Sequence, residues 1–422
     1  MNFRFISFIS LSSLGIYLLP LALISGPFIP DLIVTLLSIF FLIYAIVKKL
    51  YSYFKNIFFY SFLVFWGICI ISSIFSEDFF FSITTSIPLI RHGVFAILIY
   101  FLLKNNSNFI KNFFFISLIT ICFLLLDAYT QKFLGYNFLG RAPSSNVKIS
   151  GLFGDEEILG TYLLRITPIL MFASFFLKNK KDFFLIFFYL LIEPMIFYSG
   201  QRSIFYMSLC YIFGIILFVK HSRKSLLALL ILILFLSYNL FHNKDYNIRM
   251  IKDITENYTI YQPQNYDEEG KYKLFKFMFY SPNQTILWIS SLNIFMDNKI
   301  LGAGPSVFRK ICEKYKPSVK SEYNQCSTHP HNFLFQLLAE TGLLGFAVYA
   351  FSYLCLFLTL ILFFFQKVFL KKELNNPSCM LIVLILVNFF PFVPNGNFFN
   401  NYLSILNFLP FGFLLNFKIN IR

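Results

Sequence analysis

The sequence predicts an all-α polytopic membrane protein of about twelve transmembrane helices, with one large, mainly helical loop on the periplasmic side. Three observations carry this. Of 422 residues, 58% are hydrophobic and 13% charged, where soluble chains run near half apolar and a quarter charged. The apolar residues fall in blocks of roughly 20, the length that crosses a ~30 Å hydrocarbon layer as a helix. The basic residues cluster on every second connection between those blocks. Phe rises together with Ile, Lys, Asn and Tyr, as a base-composition bias would produce, so nothing functional is read into the aromatics.

The blocks lie at about 4–25, 31–47, 56–76, 87–103, 112–130, 158–177, 183–199, 203–219, 224–241, 343–365, 378–394 and 402–417. The first lacks a small-residue cleavage site and a second block follows at once, so it reads as a span and not as a signal peptide. KKLYSYFKN, KNNSNFIKN, KNKKD, KHSRK, QKVFLKKE and the final FKINIR share one side, whereas GPFIPD, SEDFFFS and PNGNFFNN carry almost no positive charge. The Lys/Arg bias of short cytoplasmic loops then puts both termini in the cytoplasm. The net charge of +15 is mostly this topology signal, which argues against a nucleic-acid partner.

Three regions follow. Residues 1–241 form a membrane domain of spans 1–9 with an outer loop at about 131–157. Residues 242–342 form a periplasmic subdomain, with helix-like LFKFMFY and TILWISSLNIFMDN and the turn LGAGPSVF. Residues 343–422 carry spans 10–12. No internal repeat stands out, which disfavours transporters built from inverted halves. Cys69, Cys122, Cys210, Cys355 and Cys379 lie in spans as packing residues. Cys312 and Cys326 lie outside, where an oxidising space points to a disulfide; zinc held by these cysteines and the nearby histidines is the alternative.

A charge inside a span is costly and suggests function. Arg91, Asp127, Arg165, Glu193 and Arg202 all map to the outer half of the membrane. Structural ion pairs, Arg165 with Asp127 or Glu193, are the plain account of three of them. Arg202 follows the break FYSGQRS at the membrane surface. Arginine forks bind phosphate bidentately and stay charged, so an outer arginine cluster suits a lipid-linked phosphate or diphosphate.

The scarce polar residues concentrate in CSTHPHNFLFQLLAETGLLG, residues 326–345. Pro330 suits a first helical turn, so a helix is expected from near His331. Asn332, Gln336 and Glu340 then recur at i, i+4 and i+8 as a polar stripe on one face, and Gly342 allows a bend before span 10. An imidazole at the head of such a stripe can take a proton from an attacking hydroxyl.

HPHNFLFQLLAETGLLG resembles the signature of the O-antigen ligase and polymerase superfamily, His-Asn followed by Glu-x-Gly-x-x-Gly, here His331, Asn332, Glu340, Gly342 and Gly345. NIFMDNKILGAGPSVFRKIC, with Gly302 and Gly304, is similar to the family's segment leading into Gly-x-Gly; ISGLFGDEEILGTYLLRITP and YSGQRS resemble two further blocks. The resemblance implies a glycosyltransferase at the periplasmic face that needs no cofactor, neither ATP nor metal. Its donor would be a glycan on undecaprenyl diphosphate in the bilayer. Its acceptor would be a sugar hydroxyl, on lipid A-core for a ligase or on a lipid-linked repeat for a polymerase. Arg202 would bind diphosphate, and His331 would be the base or the residue that orients the acceptor. Arg309, Arg165 and Arg91, with Asn332, Gln336 and Glu340, are the further substrate-binding candidates. The family's second arginine, expected before Gly-x-Gly, has no counterpart in SPNQTILW; Arg309 or Arg249 would replace it. A lipid-linked glycan flippase is the rival from another class.

Overall fold

The computed structural model describes residues 3–178, 180–252, 282–316, 326–370 and 377–416. Among them every regular element is helical, and no strand occurs. LFKFMFY lies outside the described residues. Each of the twelve apolar blocks holds a helix, but they are not alike. Among the described residues seven helical segments are long and apolar enough to cross a bilayer: Phe8–Ser25, Phe28–Val47, Ile57–Ile74, Phe79–Asn105, Phe109–Leu134, Arg223–His242 and Phe333–Val368. Leu159–Ser174, Arg202–Phe218, Pro377–Asn388 and Asn401–Leu415 are shorter. The block near 183–199 is Lys180–Phe187 and Glu193–Tyr198 joined by a π turn at Phe188–Ile192.

Burial explains the two classes. Every residue of Leu159–Ser174 is enclosed, as is Pro377–Asn388 from Ser378 onward. The long outer helices instead show apolar side chains outward: Leu36, Phe40 and Ile43 on one, Leu230 and Leu234 on another. Exposed rows of that kind suit a lipid surface. Helices make close contact where glycine removes the side chain: a Cβ on Gly412 would meet the Ala96 carbonyl oxygen at 2.7 Å, and one on Gly214 would meet Val383 at 2.6 Å. Small residues at such crossings let helices approach within a bilayer.

The expected ion pairs differ from those formed. Arg165 bonds neither Asp127 nor Glu193; its guanidinium goes to Asn395 Oδ1 (3.0 Å) and Asn407 Oδ1 (3.2 Å). Asp127 accepts from the Phe138 N–H at 2.8 Å, and Glu193 from the Ser208 hydroxyl at 2.6 Å. Amides serve Arg165 because they satisfy the donors of a buried guanidinium without a second charge to desolvate. Arg91 has an acid that the sequence reading did not weigh: Asp31 at 2.7 Å, with Thr35 at 2.9 Å.

The described part of the large loop has a small core of its own. Helices Pro282–Asp297 and Phe308–Tyr315 bring Leu287, Trp288, Ile294, Phe308, Ile311 and Cys312 together against Ala339. Cys312 and Cys326 are joined as a disulfide, Cα–Cα 5.9 Å. Neither sulfur is therefore a free thiolate for zinc, and the described residues hold no group of three or more metal-ligating side chains.

Candidate functional site

The helix of the polar signature begins two residues later than expected, at Phe333. Asn332 sets that start: its side-chain oxygen accepts from the N–H groups of Leu334 (2.9 Å) and Phe335 (3.3 Å), an N-cap that fixes where helical geometry begins. Pro330 is consequently outside the helix. Between them His331 takes the left-handed conformation, φ +54°, uncommon for a residue with a Cβ and frequent at functional sites. The turn is held from both sides. Trp288 Nε1 donates to the Pro330 carbonyl at 2.9 Å, and the Asn395 N–H donates to the His331 carbonyl at 2.8 Å. His331 Nε2 lies 3.2 Å from Ser327 Oγ. Burial lowers its pKa below the usual histidine value, so the imidazole is neutral at neutral pH and able to accept a proton.

The polar stripe faces inward, not toward an open surface. Asn332 Nδ2 donates to the Pro391 carbonyl at 2.9 Å. Gln336 donates to Asn397 (2.7 Å) and Glu340 (2.9 Å) and accepts from the Phe398 N–H (2.9 Å). Glu340 accepts from the Phe308 N–H at 3.1 Å. All three side chains are enclosed and bonded within the protein. Helical spacing put them on one face correctly; it could not say that the loop and residues 391–398 cover that face.

The glycine motifs explain each other. The Phe333–Val368 helix kinks at Gly342, φ +60°, where Gly302 crosses it at φ +71°. A Cβ on Gly302 would lie 2.4 Å from the Glu340 carbonyl carbon, and one on Gly342 would lie 2.4 Å from the Ile300 oxygen. Four backbone bonds lace the crossing: Ala303 N–H to Ala339 O (2.8 Å), Gly304 N–H to Glu340 O (3.0 Å), Leu343 N–H to Lys299 O (2.8 Å) and Leu344 N–H to Ile300 O (3.2 Å). Ser72 and Ser76, at the end of Ile57–Ile74, donate to the carbonyls of Glu340 (3.0 Å) and Ala303 (2.7 Å). Gly304 fits against Ser76 and Ser82, and Gly345 against its own helix's Thr341.

The second polar centre is the Ser-Gly-Gln-Arg turn. Gly200, φ +67°, lies so close to Val147 that a Cβ would meet its carbonyl oxygen at 2.2 Å. Gln201 caps the neighbouring helix, accepting from the Thr161 N–H at 2.8 Å. Arg202, half-buried, then opens the Arg202–Phe218 helix. Arg249 joins it here, its Nε donating to the Gly200 carbonyl at 3.1 Å. Lys148 pairs with Glu157 at 2.7 Å; this bond and the Ser144 hydroxyl hold the Glu157 carboxyl below its usual pKa, outweighing the burial that opposes them.

One helix connects the two centres. On Leu159–Ser174, Thr161 holds Gln201, and Arg165, one turn on, donates to the Thr161 carbonyl at 3.5 Å and to Asn395 at 3.0 Å. Asn395 in turn holds His331. Residues 166–350, which include both turns and the glycine crossing, match the family model described as O-antigen ligase. That match covers a little under half of the chain and supports the O-antigen ligase and polymerase superfamily. Members are membrane glycosyltransferase-type enzymes. No curated protein matches the chain.

The predicted arginines separate. Arg202 and Arg249 stand together. Arg309 is exposed near His329, its guanidinium 5.7 Å from the Phe81 ring centre. Arg165 is enclosed between the centres, and Arg91 is committed to Asp31. Asn395, Asn397 and Asn407 were missed by the sequence reading, which took PNGNFFNN as an uncharged connection and 402–417 as an apolar span. The available signal was an unusual density of amides beside apolar blocks, since an amide at such depth needs a partner.

Proposed function

We propose that this protein is an O-antigen ligase-type glycosyltransferase that moves a glycan from undecaprenyl diphosphate to a sugar hydroxyl of lipid A-core. In this reading twelve spans place both termini in the cytoplasm and the site at the periplasmic face of the inner membrane. The bond path Gln201–Thr161–Arg165–Asn395–His331 is the observation that carries it. It gives an anion-binding turn and a neutral imidazole one common scaffold, as a reaction with a diphosphate leaving group and a hydroxyl nucleophile requires.

Arg202 and Arg249 clamp the diphosphate, with Arg309 approaching from the histidine side. His331 takes the proton of the acceptor hydroxyl as its oxygen attacks the anomeric carbon. The bond from that carbon to the diphosphate oxygen breaks, and undecaprenyl diphosphate leaves with the electron pair. The arginines stabilise the charge growing on it. Attack from the face opposite the leaving group inverts the anomeric centre. Asn332, Gln336, Glu340 and Arg165 act as positioning residues, and Arg91 secures its helix to Asp31.

The test is complementation of a deletion strain with Arg202→Ala and His331→Asn, Asn being chosen because it tolerates the left-handed backbone. Both variants should express normally and leave surface glycan absent. Full-length surface glycan from both would refute the site. The deletion phenotype distinguishes the acceptors: core-only lipopolysaccharide with polymer stranded on its carrier means ligase, and core capped by a single repeat means polymerase.

A further inference from the structure

His331 can act as a base only if one ring nitrogen carries the proton and the other keeps its lone pair, so something must hold the ring in that state. A polar side chain in reach is Ser327, whose Oγ lies 3.2 Å from His331 Nε2. The neighbouring imidazole is committed elsewhere. His329 packs with its ring centre 4.0 Å from that of His331, but its own ring is bonded to Thr328 Oγ1 at 3.0 Å and to the main chain of Asn395.

Ser327 is held from both sides. Cys326, immediately before it, is joined to Cys312, which is fully buried on the Phe308–Tyr315 helix. Pro330 and His331, after it, are fixed through their carbonyls by Trp288 at 2.9 Å and Asn395 at 2.8 Å. The hydroxyl and the imidazole therefore sit on one short strap tied at both ends.

The direction of their bond decides what the ring can do. With the proton on Nε2 and donated to Ser327, Nδ1 keeps its lone pair and can take a proton. With Ser327 donating to Nε2, the proton sits on Nδ1 and the ring can only donate to a hydroxyl. Proton transfer needs the first arrangement. Once Nδ1 has taken a proton, both ring nitrogens are donors. Burial disfavours that charged ring, so an acceptor at Nε2 counts for more there than in water. The Ser327 oxygen accepts in both states.

We infer that Ser327 is a positioning residue for the reaction: by accepting from the Nε2–H of His331 it leaves Nδ1 to the hydroxyl of the acceptor sugar. That hydroxyl's proton passes to Nδ1 as its oxygen bonds the anomeric carbon. The bond from that carbon to the diphosphate oxygen breaks, its electron pair goes to the leaving group, and Nδ1 later returns the proton to water. This rests on the proposed transferase reading.

The experiment uses full-length protein in detergent, with lipid A-core from the deletion strain as acceptor and that strain's stranded carrier-linked glycan as donor. Ser327→Ala should lower kcat about tenfold or more, as the loss of a hydrogen bond to a charged group does, and leave both KM values and the melting temperature unchanged. Ser327→Thr, which keeps the hydroxyl, should restore most of kcat. An unchanged kcat in Ser327→Ala, with wild type active, overturns the assignment and leaves the transferase reading standing. A loss that comes with a lowered melting temperature, or that Ser327→Thr does not restore, also overturns it, because either marks a packing role. Absence of transfer by wild type sinks the underlying reading, and this assignment with it.

Discussion

Replacing Gly302 by alanine tests the crossing that joins the loop to the signature helix. Two costs combine. A Cβ-bearing residue at φ +71° pays roughly 1–2 kcal/mol for the left-handed region. The added carbon would sit 2.4 Å from the Glu340 carbonyl carbon and the Thr341 nitrogen. Both are backbone atoms that cannot rotate away, so relief requires the strands of the crossing to part by about 1 Å. Bonds of 2.8, 3.0, 2.8 and 3.2 Å would then stretch past useful length, at about 1 kcal/mol each. The total, about 5 kcal/mol, rivals the stability of a small domain. The spanning helices satisfy their backbone groups internally, so the loop should detach while the bundle survives. Limited proteolysis should cut Gly302→Ala rapidly near Lys310 and Lys314, with unchanged helical circular dichroism and lost transfer activity. Wild-type protease resistance with full activity would refute the crossing and the reasoning built on it.

Other perturbations report on separate parts. Asn395→Ala removes one acceptor of Arg165 but keeps the backbone donor to His331, and transfer should fall about tenfold, ~1.4 kcal/mol, with protein yield maintained; steady-state rates decide. The Cys312–Cys326 bridge closes 14 residues, so Cys312→Ser should cost about 3 kcal/mol of loop stability. Tryptic peptides holding the two cysteines should stay linked in wild type until reductant is added. His329 gives a pH signature: its folded pKa is down at about 3, against ~6.5 unfolded. Its contribution is full above pH 6.5 and shrinks as pH falls toward 3, because only the unfolded chain takes up the proton. Between pH 6.5 and 5 the loss is about 2 kcal/mol, and melting curves of His329→Phe should be flatter over that window.

Composition and block length made the helical class legible, because apolar runs of that size have few alternatives. They could not rank the helices. Pro377–Asn388 and Arg223–His242 look equally greasy, yet one is enclosed and the other faces outward. The local geometry of the candidate site was legible: a polar turn at His331 before a cap, Arg202 after a glycine turn, glycines at a bend. It was illegible where partners come from afar. Arg165 meets Asn395 across 230 positions and Asn407 across 242, and no periodicity within Leu159–Ser174 could name an amide as the partner instead of an acid. The stripe of Gln336 and Glu340 was seen, but its direction depended on residues 302–308 and 395–398, which spacing on one helix does not reveal.

The same long separations set the order in which the protein can come alive. Ser72 waits for Glu340, 268 residues downstream, and Arg165 waits for Asn407. A ribosome delivers these partners late, so through most of synthesis the early helices hold a guanidinium and several hydroxyls without their mates. In the proposed reading the candidate site is thus a seam closed by the helix that carries Asn407. A chain stopped short of residue 395 would carry the histidine, the arginines and both glycine motifs, and would still have no assembled site.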